Sequence, residues 1–375
     1  MIEGKFRHFM LKEIFDQPEA LSATIEPRIS LHPPQIKISE EVRISEAELR
    51  ALRRINVVAS GTSRHAGMAG QFMFQQLANL PADVDYASEF EYRNPPIGRA
   101  DITVVITQSG ETADTMAAQR LAREKGSRTI AISNVVGSTI AREADGVLYT
   151  HAGQEISIAS TKAFTAQIAV LFLLASYLAE VREDISKEAL KGWITELLAL
   201  PEKAEAVLQS AEQCERLAHV FRRSEDFLFL GRAIHYPIAM DGALKLKEVS
   251  YVHAEGYPAG ETKHGPNALI DEHLPVVMIA TCDRNDSGSV MRYEKSVADL
   301  RGFKKQSAQV IAVASEGDSL VPALADHTIF VPQAPELLAP ILEIIPLQMF
   351  AYYMAVERGL DVDRPRNLAK SVTRE

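Results

Sequence analysis

Lys245 and Glu248 stand three residues apart in Asp241-Gly242-Ala243-Leu244-Lys245-Leu246-Lys247-Glu248, a stretch that reads as helix, so the two side chains project from one face. On a solvent-exposed helix this spacing is a plain ion pair worth about 0.5 kcal/mol or less. Here the helix opens just after an apolar strand, at the end of a sheet where ligands sit, and an ammonium beside a carboxylate is then equipment for moving protons. Farther along, Gly260-Glu261-Thr262-Lys263-His264-Gly265-Pro266 sets Glu, Lys and His between a glycine and a Gly-Pro pair, a loop of constrained geometry. His264 is the residue of interest there, although a histidine by itself is more often structural or exposed than catalytic.

A second set of residues suits anion binding. Ser60-Gly61-Thr62-Ser63 and Thr107-Gln108-Ser109-Gly110-Glu111-Thr112 each follow a strand and open a helix. Helix N-termini offer unpaired N–H groups and a favourable dipole, and added hydroxyls complete a phosphate cradle. One such loop is explained by ordinary N-capping. Two in one module, with a further pair at Ser160-Thr161, point to a phosphate site. Neither GxGxxG nor a glycine-rich loop ending in GK[ST] occurs, so a phosphorylated small molecule is expected rather than a nucleotide. With no HExxH, paired-histidine helix, clustered cysteines or GxSxG, neither a metal nor serine hydrolysis is expected, and His8, His32 and His65 are read as non-ligands.

The elements that must position these groups are written in apolar runs. Residues 55–59, 101–106 and 129–132 are short, β-branched and without alternation, and each leads into a turn and a helical segment. Strands of that kind are parallel and buried on both faces, which predicts a doubly wound α/β sheet. A helix over 47–54 precedes the first strand. Runs 227–230, 275–280 and 310–314 repeat the arrangement, with Gly231-Arg232 standing where the first half has Gly61-Thr62, so a duplication is expected. At 375 residues, 46% apolar and 24% charged, the chain has material for roughly two to three ordinary domains.

Composition also excludes whole classes of function. A net charge of −10 argues against nucleic acid as the main partner, but not against a small anion in a local pocket. Cys214 and Cys282 make no disulfide framework, and residues 1–20 lack the apolar core of a signal peptide, so a cytoplasmic location is expected. The apolar stretches 163–179 and 337–356 read as buried or subunit-interface helices rather than membrane spans, so no membrane partner is expected.

Several segments together resemble the isomerase half of the glucosamine-6-phosphate synthase family: Arg7-His8-Phe9-Met10-Leu11-Lys12-Glu13-Ile14, Ser109 to Thr115, Ala159-Ser160-Thr161-Lys162-Ala163-Phe164, Gly242 to Glu248, Lys263-His264-Gly265-Pro266, and Pro365-Arg366-Asn367-Leu368-Ala369-Lys370-Ser371-Val372-Thr373. The resemblance spans nearly the whole chain and implies two tandem sugar-isomerase (SIS) modules: an N-terminal arm (1–46), a sugar-phosphate-binding SIS module (47–186), a helical linker (187–222), a catalytic SIS module (223–357) and a catalytic tail (358–375). It implies that Thr62, Ser63, Gln108, Ser109 and Thr112 hold the sugar phosphate, with Ser160 nearby and Thr107 standing where the family usually has serine. Glu248 would shuttle a proton between C1 and C2, and Lys245 would assist at the adjacent oxygen. His264 would open the sugar ring from the neighbouring subunit of a homodimer, and Lys370 would form an imine with the open-chain ketose. No cofactor is implied.

Departures from that family are informative. Ser60 replaces cysteine, Arg64-His65 replaces smaller polar residues, Asp241 replaces glutamate and Asn267 replaces leucine. Residue 2 is isoleucine, so glutamine hydrolysis by an N-terminal cysteine is not expected from this sequence. The leading expectation is interconversion of glucosamine 6-phosphate with fructose 6-phosphate and ammonia, in the deaminating direction. An aldose–ketose isomerase or fructosamine-6-phosphate deglycase is the alternative, and a non-catalytic sugar-phosphate sensor is a third. A sensor needs only the phosphate loops, so Lys245, Glu248, His264 and Lys370 together favour an enzyme.

Overall fold

The computed structural model describes residues 5–373; residue 2, which bears on glutamine hydrolysis, lies outside them. The chain forms two compact units built from discontinuous stretches. Gln17–Glu155 and Lys162–Pro201, with the tail from Ala369, make the first; Ile156–Thr161 and Glu202–Leu368, with the arm up to Asp16, make the second.

In the first unit helix Gln17–Ile25 leads into an antiparallel hairpin of β1 (Ile29–Leu31) and β2 (Pro34–Ile36). Its sheet consists of β3 (Arg54–Ala59), β4 (Ala82–Tyr86), β5 (Asp101–Thr107), β6 (Arg128–Ser133) and β7 (Gly146–Tyr149), all parallel, in the order β4-β3-β5-β6-β7. The second unit repeats this with β8 (Asp226–Gly231), β9 (His253–Pro258), β10 (Val276–Ile279), β11 (Val310–Ser315) and β12 (His327–Val331), in the order β12-β11-β10-β8-β9. Counted from its own first strand, each sheet reads 2-1-3-4-5. That doubly wound order reverses direction between the first and third strands, and the crevice beyond their carboxyl ends is where such folds bind ligands.

The helix expected over 47–54 is shorter, Glu46–Arg50. Ser45 and Glu48 form a capping box that fixes its start, while Arg53 N–H already donates to the Ala100 carbonyl and Arg54 is paired with Asp101, so the sheet claims the residues after 50. The stretch between the two sheets forms helices Lys187–Leu208, with Pro201 inside it, and Ala211–Phe221.

Both long apolar stretches are core helices. Lys162–Val181 and Ala339–Glu357 are long and apolar enough to cross a membrane, but 94% and 89% of their apolar windows are buried inside the protein. The first packs on helix Gly61–Leu77; the second packs on helix Tyr236–Ser250, which carries Lys245 and Glu248. Gly242 makes the latter approach possible, since a Cβ there would lie 2.7 Å from Leu347 Cδ1. Leu347 and Phe229 are almost wholly buried at this junction, each contributing about 1.5–3 kcal/mol, so the helix bearing the proposed proton shuttle is anchored from below.

Candidate active site

In the first unit the switch point lies between β3 and β5, and the two hydroxyl-rich loops leave from those two strands. Helix Gly61–Leu77 starts directly after Ser60, with Gly61 at φ +52°, a left-handed conformation that glycine adopts without strain. Helix Ala113–Glu124 starts after Thr112. Neither Ser60 nor Thr112 uses its side chain to cap its own helix, so ordinary N-capping does not account for these hydroxyls. Thr62 is buried, and Ser63 Oγ accepts a hydrogen bond from Gln167 Nε2 at 3.0 Å. Across the crevice, Thr107 Oγ1 accepts from the Gly110 N–H at 3.1 Å and lies 3.3 Å from Thr112 Oγ1, while Ser109 Oγ accepts from the Glu111 N–H at 3.2 Å. Gly110, at φ +72°, is required: any side chain there would collide with Ser138. The loop is thus folded back on its own hydroxyls, with Gln108 and Ser109 half-buried at its turn.

The tail belongs to this same unit. The Val372 carbonyl accepts a hydrogen bond from the Ala113 N–H at 3.1 Å, so the chain end sits on the first turn of the helix that Thr112 opens. Two residues earlier, Lys370 Nζ donates to Glu155 Oε2 at 2.6 Å. The Glu155 side chain is fully buried and its other oxygen accepts from the Ala163 N–H, whereas Lys370 is 25% exposed. A buried carboxylate held on both oxygens is a rigid acceptor for an ammonium.

In the second unit, Lys245 and Glu248 are on one face of helix Tyr236–Ser250, as the spacing predicts. Lys245 is buried with 1% of its side chain exposed, and its Nζ donates to Glu248 Oε2 at 2.5 Å; Glu248 keeps 22% exposure. The pair is therefore no surface ion pair but a buried ammonium holding a carboxylate at the solvent boundary. His264 is exposed at the end of the turn Ala259–His264. Ser160, half-buried, lies in this unit as well, on the stretch Ile156–Thr161.

The second unit's own switch point, between β8 and β10, is furnished differently. His235, wholly buried just before the Tyr236–Ser250 helix, has Nδ1 2.8 Å from the Glu343 carboxylate and Nε2 3.0 Å from Glu336 Oε1. Thr281 Oγ1 donates to Glu343, and Arg292 and Ser289 Oγ donate to Glu336. Burial and Arg292 pull the imidazole pKa down, but the two carboxylates more than offset them and hold it above the ordinary histidine value. Burial likewise opposes ionisation of Glu336, yet His235 and Arg292 hold it well below the usual carboxylate range. Alongside, Arg232 pairs with the buried Asp299 and abuts Gly260 in the His264 loop.

Glu155, Gln167 and the His235 network were not legible from the sequence. Glu155 had one signal, its place five residues before Ser160; the others are joined only by tertiary folding. Among the described residues no group of His, Cys, Asp and Glu is arranged to hold a metal ion.

Comparison with known proteins agrees with this architecture. The SIS domain model matches residues 48–177 and again 221–358. The chain is 47% identical over 373 residues to glutamine–fructose-6-phosphate aminotransferase (isomerizing) of Chlorobaculum tepidum, covering 100% of this chain and 59% of that protein. It is 48% identical over 370 residues to the protein of the same name from Methanosarcina acetivorans, covering 99% and 59%. The chain thus spans about three-fifths of the length of these curated relatives. The solved C-terminal domain of glucosamine-fructose-6-phosphate aminotransferase from Francisella tularensis superposes with a TM-score of 0.90 at 32% identity, covering 97% of this chain and 100% of that one. With two SIS segments, two parallel five-stranded sheets and end-to-end similarity to that domain, the chain belongs to the SIS family, as the double-SIS isomerase half of the glutamine–fructose-6-phosphate aminotransferases.

Proposed function

We propose that this chain is an enzyme interconverting glucosamine 6-phosphate with fructose 6-phosphate and ammonia, and that it runs as a deaminase when no ammonia donor is present. The observation that carries the reading is the tail: Lys370 is held by a buried carboxylate while Val372 bonds the helix that Thr112 opens. An amine that can form an imine and a set of loops suited to phosphate therefore share one unit.

In the proposed reaction Thr62, Ser63, Thr107, Gln108, Ser109 and Thr112, with Ser160, hold the phosphate. His264, from the second subunit of a homodimer, moves the proton that opens the sugar ring; its exposure supports this. In the open-chain aldose Glu248 takes the proton from C2 and returns it to C1, leaving an imine at C2, while Lys245 donates to the oxygen on C1. Lys370 adds to C2 and ammonia leaves; water then adds to the lysine imine, releasing the ketose and the free amine. Glu155 is positioned to take the proton that Lys370 must lose before it can attack. A cytoplasmic setting belongs to the same proposal.

An ammonia-release assay on a panel of hexosamine 6-phosphates tests the reading. Glucosamine 6-phosphate should be deaminated and Lys370→Ala should abolish release. Isomerisation of a plain ketose phosphate without ammonia release would favour the aldose–ketose alternative. Binding without turnover of any panel member would overturn the enzyme reading.

A further inference from the structure

The arm motif Arg7 to Ile14 takes no part in the reaction as written, yet its side chains make an unusual set of bonds. Glu13, 2% exposed on helix Phe9–Phe15, uses Oε1 to accept from the backbone N–H groups of both Ile156 and Ser157. At the other end of that helix His8 supplies no side-chain cap; the Asp363 carboxylate does, accepting from the Phe9 N–H at 2.9 Å and the Met10 N–H at 2.8 Å. The Asp363 carbonyl in turn accepts from the Ile158 N–H at 3.1 Å. Three stretches far apart in sequence are thereby closed into a ring within the second unit, and every bond in the ring ends on a main-chain N–H. Such bonds fix backbone register, because a buried N–H that loses its acceptor finds no water to replace it.

From this geometry we infer that Glu13 is a positioning residue for the Lys370 tail. Ile156 directly follows Glu155, the acceptor of Lys370, and the residues after Asp363 lead to Lys370 itself. Both halves of that ion pair therefore leave the ring along the chain, one upstream of Ile156 and one downstream of Asp363. Glu13 acts through the Ile156 and Ser157 N–H groups it holds. It sets where the two backbones depart, and Asp363 completes the register. The inference rests on the reading of Lys370 as the imine-forming residue, and its test separates the two.

Fructose 6-phosphate is incubated with the protein and a borohydride. Lys370 Nζ adds to the C2 carbonyl, water leaves, and hydride reduces the imine to a secondary amine that mass spectrometry locates. Hydrogen exchange of the 156–158 and 361–373 amides and the melting temperature are read on the same samples. Glu13→Ala should slow labelling of Lys370 by about tenfold or more, the scale of a misplaced reacting group, and raise exchange in both stretches. Glu13→Gln keeps an oxygen acceptor for both N–H groups and should label within about twofold of wild type. Should the alanine variant fail to fold, Glu13→Asp, which keeps the charge but withdraws it by one methylene, should show the same slowing. Wild-type labelling in Glu13→Ala, or exchange rising only in helix Phe9–Phe15, would overturn the inference. If wild type itself is never labelled, the imine role of Lys370 falls, and the exchange data alone decide the positioning role: raised exchange in both stretches upholds it and unchanged exchange refutes it.

Discussion

The two sheets share strand order and a switch point, yet the crevices there are opposite in character. Between β3 and β5 the chain presents hydroxyls and the starts of two helices. Between β8 and β10 the same place is filled by His235, Glu336, Glu343 and Arg292, bonded to one another. A phosphate entering the second crevice would meet the buried Glu343 and the half-buried Glu336, the latter with its pKa held low. One fold thus occurs twice, with hydroxyls and helix starts at one crevice and a bonded network of charges at the other. The second crevice gains rigidity: His235 pins the start of the helix on which Lys245 and Glu248 ride. Burying both partners of such a network is costly, and fixing that helix is the role that explains keeping it.

If the labour is divided in this way, substitutions in the two halves should fail differently. Glu248→Gln should lower kcat roughly 10²- to 10⁴-fold while leaving sugar-phosphate affinity nearly intact, measured by steady-state kinetics beside a binding titration. His235→Ala leaves the buried Glu343 with Thr281 alone among the described residues, while Glu336 keeps Arg292 and Ser289, and should destabilise the second unit by about 3–5 kcal/mol in denaturant unfolding; a loss below about 1 kcal/mol would mean that the network braces nothing.

The same histidine predicts a pH signature. Its folded-state pKa is raised above the ordinary 6.5, so the stability it confers is complete below that value and fades as pH rises through the folded-state value. Melting temperature followed above pH 6.5 should fall in wild type by an increment that His235→Gln lacks. In the first crevice, Thr112→Val removes a hydroxyl proposed to hold the phosphate and should raise KM roughly 10- to 100-fold with little change in kcat. Last comes Arg120→Ala, which breaks a pair with Glu143 whose partners are 54% and 30% exposed; it should shift stability by less than about 1 kcal/mol and activity not at all.

How far the sequence carried depended on burial. The runs that announced strands, 55–59, 101–106, 129–132 and their counterparts in the second half, became β3, β5, β6, β8, β10 and β11, the inner strands of the two sheets. Covered on both faces, they are almost continuously apolar. The edge strands stayed hidden. β4 is Ala-Asp-Val-Asp-Tyr, alternating and half exposed; β9 contains glycine and proline; β7 is four residues long. At the site, local spacing sufficed for Lys245 with Glu248 and for the hydroxyl loops. Spacing could not pair Lys370 with Glu155, 215 positions away, or bring Gln167 to Ser63. Those facts depend on how distant segments meet, and no periodicity records them.

The bond from the Ala113 N–H to the Val372 carbonyl has a practical side. Purification handles are commonly appended to the carboxyl end of a protein, where chain ends are usually slack. A bulky group joined just after Thr373 would pull on a segment bonded at Val372 and paired at Lys370. Tagged preparations should be compared with cleaved ones before any rate is assigned to the enzyme itself.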